Sequence, residues 1–217
     1  MNVVIFGGTG GLGSGVTNIL SKFEGYQITS IGSKDVDITN FEDVKNFFSN
    51  KSYDVVINLS GFNFDIFAHK ISSDNYNNIE KQIDTNIKGT INIISNCLPS
   101  MRENNFGRII TASSVLAEKP VISTSVYSGC KGFIDSFTRT VALENAIKNI
   151  TCNSIQLGYF EAGLTWKIPK EFREILINEI PIKRLGTINE LSNTIKYLID
   201  TQYVTGTNIK INGGIDF

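Results

Sequence analysis

The sequence is poor in the residues that build metal centres and disulfide frameworks. Its 217 residues include one histidine, His69, and three widely spaced cysteines, Cys97, Cys130 and Cys152. An odd, scattered set of cysteines fits neither a disulfide framework nor a metal ligand set, and it indicates a reducing compartment. A single histidine argues against a histidine-based metal centre and against a Ser-His-Asp hydrolase. We therefore expect no bound metal.

Charge clusters and long apolar runs are also missing. The formal net charge is −1 and no Lys/Arg cluster is present, which argues against binding nucleic acid or a membrane surface. No apolar run approaches 18 residues, and the chain opens directly into a predicted strand without a signal peptide. The expectation is a cytoplasmic protein. With 41% hydrophobic and 19% charged residues, the chain suits one domain over residues 1–217.

What the chain does have is an alternation of strands and helices. Continuous apolar runs such as residues 54–59 are typical of parallel strands that are buried on both faces. The alternation predicts an α/β fold, a doubly wound parallel sheet with helices on both faces. The predicted strands are 2–6, 26–31, 54–59, 107–112, 151–156 and 207–211, and the predicted helices are 11–23, 41–49, 74–98, 125–147, 170–178 and 188–200.

A glycine-rich segment, residues 7–13, follows the first strand and precedes the first helix. This is the context that a dinucleotide-binding fingerprint requires. Gly7 permits a tight turn, Gly11 lets the backbone approach a pyrophosphate, and Gly13 allows close packing of helix on strand. The phosphates would lie at the helix N-terminus, where free N–H groups favour anions.

A tyrosine and a lysine, Tyr127 and Lys131, stand four residues apart, and Ser114 precedes the tyrosine by thirteen. Four residues make about one helical turn, so the phenol and the ammonium would share a helix face. A free phenol has a pKa of about 10, and a fixed cation nearby would lower it toward the working range. Alone, the two residues could be a solvated i,i+4 pair of side chains on a helix surface.

Together, the glycine pattern, Ser114, Tyr127 and Lys131 resemble the short-chain dehydrogenase/reductase family, including its 3-oxoacyl-carrier-protein reductases. The resemblance runs along the whole chain and implies a Rossmann-like fold. Further segments in the family's order are Asn58-Leu59-Ser60-Gly61, Asn86-Ile87-Lys88-Gly89, Gly107-Arg108-Ile109-Ile110, Leu157-Gly158, Pro181–Gly186 and Asn212-Gly213-Gly214.

The resemblance implies roles for individual residues. Tyr127 would be the acid/base, Ser114 would bond the substrate oxygen, and Lys131 would lower the tyrosine pKa and hold the nicotinamide ribose. Asn86 would hold a water that relays protons from Lys131. The implied cofactor-binding residues are Gly7, Thr9, Gly10, Gly11, Leu12, Gly13, Ser33, Lys34, Asp37, Ile38, Asn58, Ser60, Gly61, Tyr127, Lys131, Gly158 and Phe160.

One departure from the family concerns its third strand. Residues 32–34 lead from the second strand straight into Asp35-Val36-Asp37-Ile38-Thr39, and a parallel neighbour needs a crossover of about a dozen residues. We expect this strand to be shortened or lost. Asp37 and Ile38 would still line the adenine, although Asp37 could instead be a turn residue before the 41–49 helix.

The end of the second strand also bears on the choice of cofactor. It lacks the acidic residue that binds the ribose 2′-hydroxyl of NAD. Ser33 and Lys34 could bind a 2′-phosphate, which favours NADP(H) over NAD(H), unless Lys34 is only a solvated lysine. Gly10, where many NADP-binding relatives carry a basic residue, weakens this preference.

A substrate lid is expected at about residues 159–186. Leu157 and Ala162 replace the family's proline and threonine, which removes a hydroxyl expected near the cofactor. Phe160, Leu164 and Trp166 suggest an apolar lid, or else a cover over the core.

The predicted function is the interconversion of a carbonyl and a secondary alcohol, on either a 3-oxoacyl thioester or a sugar or sugar-nucleotide. The alternative is a catalytically idle dinucleotide-binding sensor or assembly subunit.

Two predicted helices carry more apolar residues than one sheet-facing stripe of about 100° needs. Relatives pair these helices across a two-fold axis, so we expect a homotetramer, or failing that a dimer. The alternative is that loops of the same chain cover the extra residues. They are Ile79, Ile83, Ile87, Ile91, Ile93 and Ile94 on the first helix and Phe133, Phe137, Val141 and Leu143 on the second.

Overall fold

A computed structural model describes residues 1–216 of the chain. Six strands, all paired in parallel, form a single sheet with the order β2-β1-β3-β4-β5-β6. The strands are β1 (Asn2–Phe6), β2 (Gln27–Ile31), β3 (Val55–Asn58), β4 (Gly107–Ser114), β5 (Ile150–Leu157) and β6 (Asn208–Ile211).

Helices cover both faces of this sheet. Successive residues of β1 point to opposite faces, so Val4 and Phe6 enter one buried apolar cluster and Val3 and Ile5 enter another. No helix within residues 1–216 is long and apolar enough to cross a membrane. The predicted doubly wound fold is confirmed. The helices are α1 (Gly11–Leu20), α2 (Phe41–Phe48), α3 (Tyr76–Ile83), α4 (Gly89–Asn104), α5 (Ser125–Asn145), α6 (Lys170–Glu179) and α7 (Ile188–Asp200).

The family's third strand is absent from the described residues, as predicted. Between Ile31 and Val55 the chain forms only a turn and α2, and β2 is therefore an edge strand. Asp35 closes the turn, because its carboxylate accepts the N–H of Gly32 at 2.8 Å. The few residues available turn back locally and do not cross over.

The predicted 74–98 helix is wrong in its continuity and in its end. A π-helical turn, Asp84–Lys88, separates α3 from α4. The helix then continues past Pro99 to Asn104, where Asn105 ends it with a φ of 49°. Pro99 lacks an N–H, so the carbonyl of Ser95 has no helical donor. Both residues are exposed. Water can satisfy that carbonyl, so the helix tolerates the proline.

The order of the strands places a cleft in the sheet. From β1 the chain builds β2 on one side and β3 on the other, and ligands bind where strand order reverses, at the carboxyl ends of the strands. The glycine-rich segment follows β1, and Ser60 and Gly61 follow β3. Both segments therefore meet at this switch point.

Candidate active site

A cleft of about 1130 Å³ opens at the carboxyl ends of the strands. It brings together most of the residues that the sequence predicted for catalysis and cofactor binding. Three predicted residues, Lys34, Asn58 and Asn86, lie outside its lining. Those that line it are Gly7, Thr9, Gly10, Gly11, Leu12, Gly13, Ser33, Asp37, Ile38, Ser60, Gly61, Ser114, Tyr127, Lys131, Gly158 and Phe160.

Helix α5 carries Tyr127 and Lys131 into the cleft wall. Both are buried, 8% and 2% exposed, on the face that packs against β4 and β5. The Lys131 ammonium donates to the carbonyl of Ala112 at 2.9 Å and lies 5.5 Å from the centre of the Tyr127 ring. The Ser113 hydroxyl donates to the Lys131 carbonyl at 3.2 Å. The end of β4 therefore fixes the helix turn that holds this pair.

Ser114 is the last residue of β4 and lines the same cleft. Its hydroxyl oxygen accepts the N–H of Leu116 at 3.2 Å. Because that bond uses only a lone pair, the hydroxyl hydrogen remains available to a ligand oxygen. The end of β4 thus supplies a hydroxyl donor to the cleft that Tyr127 also lines.

The expected lowering of the Tyr127 pKa is wrong for this structure. Burial raises the pKa of the phenol well above its usual range, and the nearby Asp65, Cys130 and Tyr159 raise it further. Burial also lowers the pKa of the Lys131 ammonium to about 8, against the opposing effects of Cys130 and Asp135. Desolvation is the largest cause, so the phenol stays protonated at neutral pH.

Asn86 lies on the π-helical turn and is buried. Its Nδ2 donates to the carbonyls of Phe62 at 2.7 Å and Gln82 at 2.8 Å, while its Oδ1 has no hydrogen-bond partner among the described residues. A Cβ placed on Gly61 would lie 3.4 Å from that Oδ1 and 3.7 Å from the Lys131 ammonium nitrogen. The amide oxygen and the ammonium therefore both face the space beside Gly61. π-Turns of this kind occur often at functional sites.

A loop that the sequence analysis missed forms one wall of the cleft. Asn63 and Asp65 line it. The loop is held at both sides, since the N–H of Phe64 donates to Gln82 and the N–H of Ile66 donates to the Ser123 carbonyl at 2.8 Å. No periodicity or motif marks these residues, because long-range bonds decide where the loop lies.

The glycine-rich turn has the geometry that a dinucleotide needs. Gly7 has a φ of 75°, and a Cβ there would lie 2.8 Å from the backbone nitrogen of Ser60. A Cβ on Gly13 would lie 2.0 Å from the carbonyl of Gly7. The first turn of α1 carries no acidic side chain, which leaves its N–H groups open to an anion. These residues fit a nicotinamide dinucleotide with its pyrophosphate at α1.

The end of β2 only partly matches the prediction for the 2′-phosphate. Ser33 lines the cleft, whereas Lys34 is exposed and outside the lining. Lys34 lies at the open edge of the sheet because the chain turns sharply after Gly32.

Asp37 and Ile38, which the sequence predicted to contact adenine, both line the cleft. The Asp37 carboxylate also accepts the N–H of Thr39 at 2.9 Å and its hydroxyl at 2.8 Å. Asp37 therefore both stabilises the turn and lines the cleft.

Asn58 is buried behind the cleft, and its contacts are internal. Its Nδ2 donates to the Thr90 hydroxyl at 3.1 Å, and its Oδ1 accepts the N–H of Ser60 at 3.0 Å. The side chain therefore shapes the turn that carries Ser60 and Gly61, and a direct contact with the cofactor is not what this geometry supports.

The segment after β5 divides the aromatic residues between core and lid. Phe160 belongs to the buried core, and its backbone pairs with Gly186. Trp166 is 56% exposed, its indole N–H donates to the Glu161 carbonyl at 2.8 Å, and the Arg173 guanidinium lies 4.1 Å from its ring centre. Leu164 also lines the cleft. Phe160 therefore covers the core, while Leu164 and Trp166 stand at the mouth.

Comparison with known proteins agrees with this geometry. The family model described as enoyl-(acyl carrier protein) reductase matches residues 21–216. The glycine-rich turn lies before the matched residues, so its assignment depends on the backbone geometry described above.

Two curated relatives share about a third of their aligned residues with the chain. Nodulation protein G of Azospirillum brasilense is 32% identical over 166 residues, 76% of this chain and 66% of the relative. Acetoacetyl-CoA reductase of Shinella zoogloeoides is 34% identical over 164 residues, 74% of this chain and 67% of the relative. The chain thus spans about two thirds of the length of these relatives.

Two further matches extend over nearly the whole chain. 3-Oxoacyl-[acyl-carrier-protein] reductase of Rickettsia felis is 24% identical over 232 residues, 98% of this chain and 95% of the relative. The crystal structure of 3-oxoacyl-[acyl-carrier protein] reductase from Brucella melitensis superimposes with a TM-score of 0.87 at 20% identity, over 100% of this chain and 91% of that one. The fold, the family match and the relatives agree, and the chain belongs to the short-chain dehydrogenase/reductase family of NAD(P)-dependent enzymes.

Proposed function

We propose that the protein reduces a carbonyl to a secondary alcohol, and catalyses the reverse reaction, with Tyr127 as the acid/base. The observation that carries this proposal is the convergence of Ser114, Tyr127 and Lys131 on one cleft, whose other end is the glycine-rich turn. A bound nicotinamide dinucleotide supplies or accepts the hydride. The protein must orient the reacting carbonyl and manage one proton.

Each side chain has a distinct task in the direction of reduction. The Ser114 hydroxyl bonds the carbonyl oxygen and stabilises the charge that develops there. Tyr127 gives its proton to that oxygen. Burial raises the pKa of the phenol, so it enters this step protonated but is a weaker acid than a free phenol.

Lys131 and Asn86 would return the proton to the phenol. The Lys131 ammonium lines the cleft, and it and the Asn86 Oδ1 both face the space beside Gly61, where the proposal places one water. Such a water would receive a hydrogen bond from the ammonium and donate one to the amide oxygen. This arrangement supports a proton path from the cleft to the loop that carries Phe62.

We propose NADP(H) as the preferred cofactor. Ser33 stands in the cleft at the end of β2, and the three residues that follow the strand, Gly32-Ser33-Lys34, include no acidic side chain. Lys34 is close in sequence and exposed, so it can turn toward a 2′-phosphate at the open edge of the sheet.

Two substrate classes remain in the proposal. A 3-oxoacyl thioester agrees with the names of the relatives, and a sugar or sugar-nucleotide agrees with the polar residues Asn63 and Asp65 in the cleft wall. The residues at about 159–186 would form the lid over either substrate. The contrasting proposal is an idle dinucleotide-binding subunit, which would not need Ser114, Tyr127 and Lys131 in one cleft.

A nicotinamide fluorescence assay separates these proposals. The purified protein with NADPH or NADH is offered acetoacetyl-CoA, ethyl acetoacetate and a keto-sugar. Turnover of any of them supports the enzyme, and the preferred compound identifies the substrate class. Cofactor binding without turnover of any compound would support the idle subunit.

A further inference from the structure

A buried carboxylate, Asp135, lies one helical turn beyond Lys131 on α5. Residues four apart on a helix are neighbours on one face, so Tyr127, Lys131 and Asp135 form a row on the face that packs against the sheet. Asp135 is 4% exposed and does not line the cleft. It therefore stands behind the lysine, away from any ligand.

Two neutral groups of β5 hold the Asp135 carboxylate. The Ser154 hydroxyl donates to its Oδ1 at 2.7 Å, and the Gln156 Nε2 donates to its Oδ2 at 2.7 Å. The same Nε2 donates to the Glu118 carboxylate at 2.9 Å, while the Gln156 Oε1 bonds to no group in the part of the chain that the structure describes. The amide thus turns both N–H bonds toward carboxylates and leaves its own oxygen unsatisfied. This arrangement stabilises a negative charge on Asp135.

The positive charge of Lys131 is buried in a similar way. Among the described side chains and backbone groups, its one hydrogen bond goes to a neutral carbonyl, that of Ala112. Among the residues whose side chains the structure describes, no lysine or arginine nitrogen lies within 4.0 Å of Asp135. Burying either charge alone costs several kcal/mol by general estimates, and an opposite charge one turn away offsets part of that cost.

We propose that Asp135 is the internal counter-ion of Lys131, a positioning residue that keeps the buried ammonium charged at neutral pH. One consequence of this inference rests on the proposed function: Lys131 would bond the ligand and the relay water as a cation. Removing the negative charge at Asp135 would leave the lysine neutral in much of the protein near neutral pH.

The charged surroundings of Lys131 agree with this assignment. On its own helix the titratable neighbours are Tyr127, Cys130 and Asp135. Other elements contribute Asp37, Asp65, Glu80, Lys81, Asp84 and Tyr159 to the cleft. Burial lowers the pKa of Lys131 to about 8, and Cys130 and Asp135 are the two groups that raise it. A neutral thiol carries no charge to attract the ammonium, so the carboxylate is the group that matters.

The proposal has a signature in stability against pH. The folded pKa of Lys131, about 8, lies below the value of about 10.4 in an unfolded chain. The cost of the buried ammonium is therefore present below about pH 8 and disappears as the pH rises through about 10.4. Asp135→Asn should lower the folded pKa of Lys131 further and increase that cost.

The test is thermal unfolding of the cofactor-free protein at about pH 7 and about pH 10. Asp135→Asn should lower the Tm at the lower pH and lose at least half of that effect at the higher pH. In a Lys131→Met background the same substitution should cost far less at the lower pH. Glu144→Gln is the matched control, since it removes an exposed carboxylate from the same helix and should change neither value.

An equal loss of Tm at both pH values and in both backgrounds would overturn the proposal, because it would show a packing role alone. If Asp135→Asn does not fold, the double variant Lys131→Met/Asp135→Asn should fold, since it removes both charges. A double variant that fails in the same way would also overturn it.

These measurements need no substrate, so a failed search for turnover would reject the proposed function without affecting them. Where turnover is found, the alkaline limb of kcat should move to lower pH in Asp135→Asn and return toward wild type in Asp135→Glu.

Discussion

Replacing Tyr127 by phenylalanine removes the hydroxyl of the proposed acid/base and little else. The phenol oxygen forms no hydrogen bond with any residue whose side chain the structure describes, and the ring stays packed on α5. We therefore expect the free energy of unfolding to change by less than ~0.5 kcal/mol. Cofactor affinity should stay close to that of the wild type, because the ring and Lys131 remain.

The rate should fall much further than the stability. A general acid contributes a factor of about 10²–10⁴, which corresponds to about 2.7–5.5 kcal/mol of transition-state stabilisation. The assay is NADPH oxidation by the best carbonyl substrate, followed at saturating cofactor. We expect kcat to fall by at least a hundredfold.

Tyr53→Phe is the matched control for that variant. Its hydroxyl is buried, has no hydrogen-bond partner within the described residues, and lies in the core away from the cleft. This substitution should leave kcat unchanged and should not destabilise the protein, because it removes an unsatisfied polar atom. If Tyr127→Phe retains more than about a tenth of the wild-type rate, the acid/base assignment is refuted.

Further predictions concern the lysine, the cofactor and the assembly. Lys131→Met should reduce both kcat and cofactor affinity. It should also remove the loss of rate that we expect in the wild type as the pH rises through about 8. An unchanged pH profile would reject a role for the charge of Lys131. Lys34→Ala should weaken NADPH binding and leave NADH binding nearly unaltered, as followed by the fluorescence of Trp166, and equal losses would mean that the lysine acts only as a general charge. Light scattering at micromolar concentration should show a homotetramer, since Leu143 and Ile147 near the end of α5 are 82% and 92% exposed; a single species of 24.0 kDa would contradict the pairing of helices.

The sequence by itself determined the features that depend on local pattern. Continuous apolar runs predicted the buried strands, because a parallel strand is covered on both faces. Gly7 and Gly13 predicted the turn into α1, since each position leaves no room for a Cβ. The four-residue spacing of Tyr127 and Lys131 placed both on one face of α5. The few residues after Ile31 also sufficed to predict the loss of a strand, because chain length limits a crossover.

The tertiary structure alone decided how these groups are surrounded. The pKa of Tyr127 follows from burial rather than from its spacing to Lys131. A four-residue spacing does not determine how deeply a side chain is buried. The π-helical turn that directs Asn86 inward replaced what was predicted as a uniform helix.

Long-range bonds decided the rest. The loop with Asp65 is fixed by Gln82 and Ser123, and Asp135 is held by side chains of β5 that lie 19 and 21 residues away in the sequence. Side-chain partners at such separations leave no local periodicity, so only the folded chain brings a carboxylate behind the lysine.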